Sequence, residues 1–348
     1  MATTGLWMLA MVAVALIATG LPSWIVLIGV AAAFGGGGLL AGTFTLPILT
    51  AVPARILGLL ENDLLQALPL YVLMGALLNH LPLAQTLFRA TSRALARSGA
   101  GPELAGLGLG VLLAPMNGSV GASVATLGRA VFPRLDAAGM PADKSAALVC
   151  VASTLGVVVP PSLVLILLSD AMVRAHTEAL NATGRAMRVV NTQDLFAGAL
   201  GPAALLLALY ALVTWAMRSR SDPMPAGAPS RLTAVEWVTA GTTVLLVAGL
   251  LIGVTLGYLY AVEAAAAGGV VLVLFGLTTR TLTPAVMREV LGDTMAVSGA
   301  LFALLVGATV FTLVLRAYGT DRWVAAALGQ LPGGSAVALA VVLASLAL

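Results

Sequence analysis

Long apolar stretches, separated by short polar or proline-containing segments, fill most of this chain. A helix needs about 20 apolar residues to cross a bilayer, and several stretches reach or approach that length. The predicted membrane helices are Leu6–Gly20, Trp24–Leu40, Leu195–Met217, Ala234–Tyr258, Val262–Leu277, Met295–Leu315 and the shorter Ala336–Leu348. The pattern therefore predicts an all-α, multi-span membrane protein with roughly ten membrane segments, some of them short or re-entrant.

Two apolar stretches are interrupted by glycine, serine and proline residues. The first break is Asn117–Ser123 and the second is Thr154–Ser162. Peptide groups that leave a helix inside a bilayer cost several kcal/mol each unless protein covers them or they line a polar cavity. Secondary transporters place broken helices of this kind around their solute and ion sites. The two breaks therefore predict such a site near the middle of the membrane.

The composition agrees with a membrane location. The chain is 60% hydrophobic and 9% charged, whereas soluble domains carry about 25% charged residues. Its net charge of +3 comes from scattered arginines, without a basic stripe or an aromatic platform, which argues against a nucleic-acid partner. The single cysteine, Cys150, lies in an apolar run and is predicted to be a structural thiol.

One polar segment separates the chain into two halves. Residues 218–232 contain three arginines, three prolines and several serines, a composition typical of a linker. We predict a first half at 1–217, a linker that is cytoplasmic because of its arginines, and a second half at 233–348. Leu70–Ala76 has a faint echo in Leu301–Ala308, so we expect the halves to be repeats. The distance from Leu70–Ala76 to the first break, measured instead from Leu301–Ala308, reaches just beyond the last residue. We therefore expect the second repeat to be incomplete.

The first break is rich in oxygen ligands that carry no charge. Asn117, Ser119 and Ser123 supply side-chain oxygens, and Gly118 and Gly121 allow backbone conformations that are closed to other residues. Ser119 and Ser123 share a face if helix resumes there. Neutral oxygen ligands suit a hard cation such as Na⁺ better than a transition metal. Close packing of small residues between two helices is the alternative that this break leaves open.

The second break contains the pair Pro160 and Pro161, which disrupts a helix and removes two N–H donors inside an apolar run. This pair favours an ion site over helix packing alone. Glu263 is a further candidate, because alanine and valine surround it and an ionisable group inside a membrane is usually functional. The other ionisable residues in or beside spans are expected at span ends; they are His80, Asp170 and Asp293.

Enzyme signatures are weak, and we predict no catalytic residues. Residues 121–125 only approach the G-x-S-x-G elbow of serine hydrolases, and no strand precedes them. An intramembrane hydrolase would have to use Ser119 or Ser123 as its nucleophile. No Walker A motif is present, which argues against direct use of ATP.

These residues resemble the large membrane subunit of tripartite ATP-independent periplasmic (TRAP) transporters, and most strongly the branch often labelled mannitol/chloroaromatic. The family's first hairpin reads roughly S-G-S-x-x-A-x-x-x-x-x-G. This chain has Asn117, Gly118, Ser119, Ala122 and Gly128 in those positions. The family's T-L-G-x-x-x-P-P-S signature is matched by residues 154–156 and 160–162. The chain departs from the family at Asn117, at 260–263, where T-P-T-E is expected, and in lacking the second hairpin with its T-P-P sequence.

The resemblance implies an elevator-type transporter with inverted repeats and re-entrant helical hairpins. It also implies a sodium ion between the hairpin tip and the second break, with no organic cofactor. The sodium ligands, largely backbone oxygens, would come from Asn117, Ser119, Gly156 and Val159. The other implied substrate and hairpin residues are Gly118, Gly121, Ala122, Ser123, Thr154, Pro160, Pro161, Ser162 and Glu263.

The function implied by the resemblance is that of a permease subunit in the bacterial inner membrane. Such a subunit imports an organic acid, for example a C4-dicarboxylate, together with Na⁺. A soluble periplasmic binding protein delivers the acid, and a small membrane subunit completes the permease. Two alternatives stay open: a stand-alone Na⁺-coupled dicarboxylate or oxyanion symporter, and a truncated remnant that does not transport.

Overall fold

The computed structural model describes residues 2–113, 120–137, 139–160, 162–184, 188–217, 233–330 and 334–347. Within those residues the regular secondary structure is helical, without strands. The helices are α1 (Ala2–Thr19), α2 (Ser23–Leu40), α3 (Leu46–Thr50), α4 (Val52–Leu60), α5 (Asp63–His80), α6 (Leu83–Ala94), α7 (Gly101–Leu113), α8 (Val120–Ala137), α9 (Ala142–Val158), α10 (Leu163–Thr183), α11 (Thr192–Ala216), α12 (Ala234–Thr255), α13 (Ala261–Thr278), α14 (Pro284–Ala317), α15 (Thr320–Gly329) and α16 (Gly334–Ala347). A short 3₁₀ turn, Ala96–Ser98, precedes α7.

Six helical segments of the described chain are long and apolar enough to cross a membrane. They are Ser23–Leu40, Ala142–Asn181 (α9 with α10), Thr192–Ala216, Ala234–Thr255, Ala261–Thr278 and Pro284–Ala317. Two further helical segments, Leu46–Leu60 and Leu64–His80, make a seventh if they count as one span. The prediction of an all-α, multi-span membrane protein is confirmed. Full-length spans are fewer than the roughly ten segments predicted, because α1 and α7 belong to the shorter apolar helices.

The helices group into two compact units, of which the first comprises Met1–Glu61 and Gly299–Leu348. Its buried core consists of Met8, Val26, Val30, Ala31, Phe44, Phe311, Val314 and Tyr318. The Tyr318 hydroxyl donates a hydrogen bond to the carbonyl oxygen of Phe34 at 2.7 Å. The Tyr318 ring meets the Phe44 ring edge-on, with 5.3 Å between centroids. Apolar burial and this bonded tyrosine join the N-terminal helices to the end of α14.

The second unit, Asn62–Ser298, contains every described residue of the candidate site. Its most extensive helix pair is α5 with α13, and α12 packs beside α13 and α6. At Gly268 on α13, an added Cβ would overlap the Met74 sulfur on α5, so a small residue there lets the two helices approach closely. These units differ from the halves predicted on either side of residues 218–232. That division stays a prediction, as do the inverted repeats.

Two single residues that the sequence singled out are placed by the structure. Asp170 lies inside α10, and its expected position at the end of a membrane span stays a prediction. Its carboxylate accepts hydrogen bonds from the Asn62 amide at 2.8 Å and the Arg174 guanidinium at 2.9 Å, so a polar residue is accommodated within the helix. Cys150, predicted to be a structural thiol, is free and exposed on α9, and its structural role stays a prediction. By contrast, α5 ends at His80, as expected for a residue at a span end.

Candidate ion and substrate site

The helices α8 and α9 form an antiparallel pair that frames the candidate site. They have almost the same length, are joined by residues 138–141, and pack against each other. Ser123 and Gly156 lie sixteen residues from Gly139 and Met140, respectively, in the middle of that connection. Because α-helices rise by the same distance per residue, the first turn of α8 and the last turn of α9 lie at the same level.

The end of α7 reaches the same region. A Cβ added to Gly110 would lie 2.7 Å from the carbonyl oxygen of Ala152 and 2.8 Å from its Cβ. The two backbones are therefore in direct contact at this crossing. Gly110 and Ala152 each lie within two turns of the C-terminal end of their helix. The C-terminal ends of α7 and α9 thus converge with the N-terminal end of α8.

The second break is shorter than the sequence predicted. Residues 154–158 are helical, and of the described residues that follow, Val159, Pro160 and Ser162 lie outside helices. The prediction of an unwound stretch starting at Thr154 was therefore wrong in extent. A proline restricts mainly the residue before it, which is excluded from the helical region. Val159, directly before Pro160, has φ −76° and ψ 118°, the extended conformation that this rule requires.

The first proline of the pair leaves the Gly156 carbonyl without its helical donor. In an α-helix, the carbonyl of residue i accepts a hydrogen bond from the N–H of residue i+4. For Gly156 that residue is Pro160, which has no N–H. Gly156 and Pro160 are both buried. The Gly156 carbonyl, at a buried position near the end of α9, therefore lacks the helical hydrogen bond that would compete with a cation.

The second proline position has a local substitute donor. Pro161 lies outside the described residues, but by sequence it has no N–H for the Val157 carbonyl. The Ser162 hydroxyl donates a hydrogen bond to that carbonyl at 2.9 Å. The same hydroxyl accepts one from the Leu165 N–H at 3.1 Å and so caps α10. Ser162 therefore joins the end of α9 to the start of α10 across the break.

The electrostatics of the site come from helix ends rather than from formal charges. The C-terminal ends of α7 and α9 carry partial negative charge, and the N-terminal ends of α8 and α10 carry partial positive charge. Neither 117–123 nor 154–162 contains an ionisable residue. Such an arrangement can offer neutral carbonyl oxygens to a cation and unpaired N–H groups to an anion.

Several predicted site residues fall outside the part of the chain that the structure describes. These are Asn117, Gly118, Ser119 and Pro161, together with the side chain of Ala122. Gly121, which is exposed, and Ser123, which is buried, lie in the first turns of α8. Their roles in ion or substrate binding remain predictions.

Thr154 and Glu263 lie at exposed positions of two different helices. The Thr154 hydroxyl donates a hydrogen bond to the Val151 carbonyl at 2.7 Å and lies 3.5 Å from the Tyr210 hydroxyl of α11. The Glu263 carboxylate accepts a hydrogen bond from the Tyr260 N–H at 3.1 Å, and so caps the start of α13. α13 packs against α5 and α12, whereas the breaks lie on α8, α9 and α10. A cap explains the local contacts of Glu263, and its place among the substrate and hairpin residues remains a prediction.

A separate cavity of about 590 Å³ lies between α5, α6, α8 and α14. Its wall includes Arg129 and Arg134, two arginines that the sequence did not single out. The pKa of Arg134, on a helix outside the candidate spans, is lowered chiefly by burial and then by the positive charge of Arg89. The sequence signal that could have indicated this cavity was the pair Arg129 and Arg134, which lie five residues apart after the first break. The cavity itself depends on helices that are distant in sequence.

The wall of this cavity also contains His80 and Asp293, which contact each other. His80 Nε2 lies 2.9 Å from Asp293 Oδ2, and His80 Nδ1 lies 3.6 Å from Glu289 Oε2. Among the described residues, no group of three or more His, Cys, Asp or Glu side chains is placed to hold a metal ion.

A broken span, a helix pair whose ends meet it and a series of apolar helices define a multi-span helical membrane protein. The chain belongs to the family described as "Tripartite ATP-independent periplasmic transporter, DctM component", whose model matches residues 9–348. The family predicted from the sequence is therefore confirmed.

Two similar proteins carry the name "C4-dicarboxylate TRAP transporter large permease protein DctM". The one from Rhodobacter capsulatus is 25% identical over 285 residues, which are 80% of this chain and 64% of the relative. The one from Pseudomonas aeruginosa is 28% identical over 214 residues, which are 60% of this chain and 46% of the relative. The chain thus spans less than two thirds of the length of either relative.

Proposed function

We propose that this chain forms part of an inner-membrane permease that couples the entry of Na⁺ to the import of a small organic acid. The ion would lie between the first break and the end of α9, with Asn117, Ser119, Gly156 and Val159 as ligands. The names of the two relatives support a C4-dicarboxylate as the acid. The family description supports a periplasmic partner that delivers it and a small membrane subunit that completes the complex.

The observation that carries this proposal is the buried Gly156 carbonyl, which loses its helical donor to Pro160. Leaving such a group unsatisfied costs about 1–3 kcal/mol. A sodium ion bound there would remove that cost, since hard cations prefer oxygen ligands. The extended conformation of Val159 turns its carbonyl out of the helical direction. The end of α9 could therefore supply two ligands, the carbonyl oxygens of Gly156 and Val159.

The acid would bind where helix N-termini face the break. α8 and α10 begin there, and the first N–H groups of a helix are unpaired and favour anions. A carboxylate beside a sodium ion would also be stabilised by the charge of the ion itself. Binding of acid and ion would then favour each other, and this coupling is what a symporter requires.

The proposal can be tested by uptake of radiolabelled succinate into proteoliposomes. They would contain the full-length permease and its small membrane subunit, with the periplasmic binding protein outside. We expect an inward Na⁺ gradient to drive uptake and an equal K⁺ gradient to fail. Equal uptake under both gradients would contradict sodium coupling, and full uptake without the binding protein would favour a stand-alone symporter.

A matched pair of glycine variants tests the site itself. Gly156→Val, which crowds the end of α9, is expected to abolish sodium-driven uptake. Gly241→Val is the control, because Gly241 lies at an exposed position of α12 with open space around its added Cβ. Sodium-driven uptake that survives in Gly156→Val would contradict a closely packed ion site at the end of α9, because valine keeps the carbonyl but adds a branched side chain.

A further inference from the structure

The cavity between α5, α6, α8 and α14 has the size and lining of a small-molecule site. Its volume of about 590 Å³ falls within the range of about 300–1,000 Å³ that is usual for ligand pockets. Apolar side chains such as Val72, Ala76 and Val297 form part of the wall, and the amides of Asn79 and Gln85 form another part. An apolar wall with a few polar groups suits a short carbon chain that bears charged ends.

The charges on the cavity wall favour an anion. Its cations are Arg129 and Arg134, and its one carboxylate, Asp293, is paired with His80 at 2.9 Å. Within the described part of the chain, neither arginine forms an ion pair with a carboxylate. Each donates one hydrogen bond to a carbonyl of its own helix, at 3.3 Å for Arg129 and 2.5 Å for Arg134. A guanidinium has five N–H donors, so most donors of both residues remain for a ligand.

Contacts of Arg134 and Arg89 connect this cavity to the start of α12, the helix that follows the predicted linker at 218–232. The Arg134 guanidinium lies 5.5 Å from the centre of the Phe88 ring on α6. The next residue on α6, Arg89, forms a 2.7 Å ion pair with Glu236. Glu236 lies in the first turn of α12, directly after residues 218–232. Because the arginines of that segment predict a cytoplasmic location, the cavity lies towards the cytoplasm.

We propose that this cavity is a cytoplasmic vestibule in which Arg129 and Arg134 bind a carboxylate of the imported acid as it leaves the permease. Guanidinium groups bind carboxylates through paired, charge-assisted hydrogen bonds. The proposal rests on the proposed function for the identity of the acid. The vestibule differs from the proposed sodium site in its ion dependence, because it binds the carboxylate through arginine and requires no sodium.

The test is protection of arginines against phenylglyoxal, measured residue by residue by mass spectrometry on the full-length permease in phosphatidylcholine nanodiscs without sodium. Succinate is expected to slow modification of Arg129 and Arg134 several-fold. It should leave Arg322, an exposed arginine on α15, unchanged. The neutral diamide of succinate, at matched ionic strength, should protect none of them. Equal modification with and without succinate would overturn the proposal.

A second arm separates the acid from a lipid headgroup. Nanodiscs that contain phosphatidylglycerol, without succinate, should leave Arg129 and Arg134 as reactive as phosphatidylcholine nanodiscs do. Protection by the anionic lipid alone would identify a headgroup as the occupant and overturn the assignment to the acid. Failure of the proposed function would appear elsewhere, as succinate uptake that does not respond to a sodium gradient.

Variants then measure the contribution of each arginine to binding. Arg129→Gln is expected to weaken sodium-independent succinate binding about 10- to 100-fold, the range for loss of a charge-assisted hydrogen bond. Arg134→Lys keeps the charge and much of the packing beside Phe88 but loses the paired geometry, so a smaller loss is expected. Arg322→Gln is the control and should bind like the parent. An unchanged affinity in Arg129→Gln would remove this residue from the site.

Discussion

Replacing Pro160 by alanine changes the candidate ion site through a single backbone group. Alanine supplies an N–H where proline has none, and it frees Val159 from the restriction that a following proline imposes. Val159 can then turn from ψ 118° into the helical region. The new N–H would reach the Gly156 carbonyl, four residues earlier, and α9 would lengthen towards the break. The oxygen proposed to bind sodium would then already have a partner.

The expected loss of sodium affinity follows from that competing hydrogen bond. An intramolecular hydrogen bond contributes about 0.5–1.5 kcal/mol net. Sodium would have to break it in order to recover the carbonyl as a ligand. Since 1.4 kcal/mol corresponds to a factor of about ten, sodium binding should weaken by about twofold to tenfold. Rotation of the Val159 carbonyl, a second proposed ligand, would add to this loss.

The assay is the sodium concentration that gives half-maximal succinate uptake in proteoliposomes. The matched control is Pro202→Ala in α11, where proline also lies within a helix but at an exposed position. Pro160→Ala should raise the sodium half-saturation, and Pro202→Ala should leave it unchanged. An unchanged value in Pro160→Ala would refute the argument that proline keeps the Gly156 oxygen available. Equal shifts in both variants would show a general effect of helix stiffness instead.

Three further predictions concern stability, measured by thermal unfolding in detergent. Gly110→Ala is expected to cost about 1–3 kcal/mol of folding stability, because its Cβ would lie 2.7 Å from a carbonyl oxygen of α9. Gly108→Ala, with open space around it, should not destabilise the protein. Equal unfolding midpoints for the two variants would contradict the close helix contact. Ser162→Ala should cost about 1 kcal/mol of folding stability through loss of the α10 cap, whereas Ser162→Thr should retain most of that stability. Similar losses in both variants would argue against capping. Asp293→Asn should cost at most about 1 kcal/mol, since its partner His80 and Asp293 itself are 26% and 67% exposed. A larger loss would mean that the contact between His80 and Asp293 contributes more than its exposure suggests.

Helix positions were largely predictable because local rules set the ends of the spans. The span predicted at Ala234–Tyr258 is observed at Ala234–Thr255. It begins where the Thr233 side chain accepts a hydrogen bond from the Glu236 N–H, a signal that is present in the sequence. The extended conformation at Val159 likewise follows from the proline after it.

Other features depend on partners that the sequence places far apart. The charge of Asp170 was the reason to expect it at a span end. Asn62, which lies 108 residues earlier, donates a hydrogen bond to it within the second unit. The second break was predicted to begin at Thr154, but residues 154–158 are helical and α9 ends at Val158. The cavity beside Arg129 combines helices from widely separated parts of the chain. Such tertiary neighbours override local propensity and cannot be derived from periodicity.

The segments 117–123 and 154–162 contain no ionisable side chain. In a permease that works as proposed, the unloaded carrier would cross the electric field of the membrane without moving a formal charge through these segments. The voltage sensitivity of the cycle would then come from its cargo, at about 2.3 kcal/mol per elementary charge per 100 mV. The ratio of sodium ions to carboxylates would therefore set both the size and the direction of the transport current.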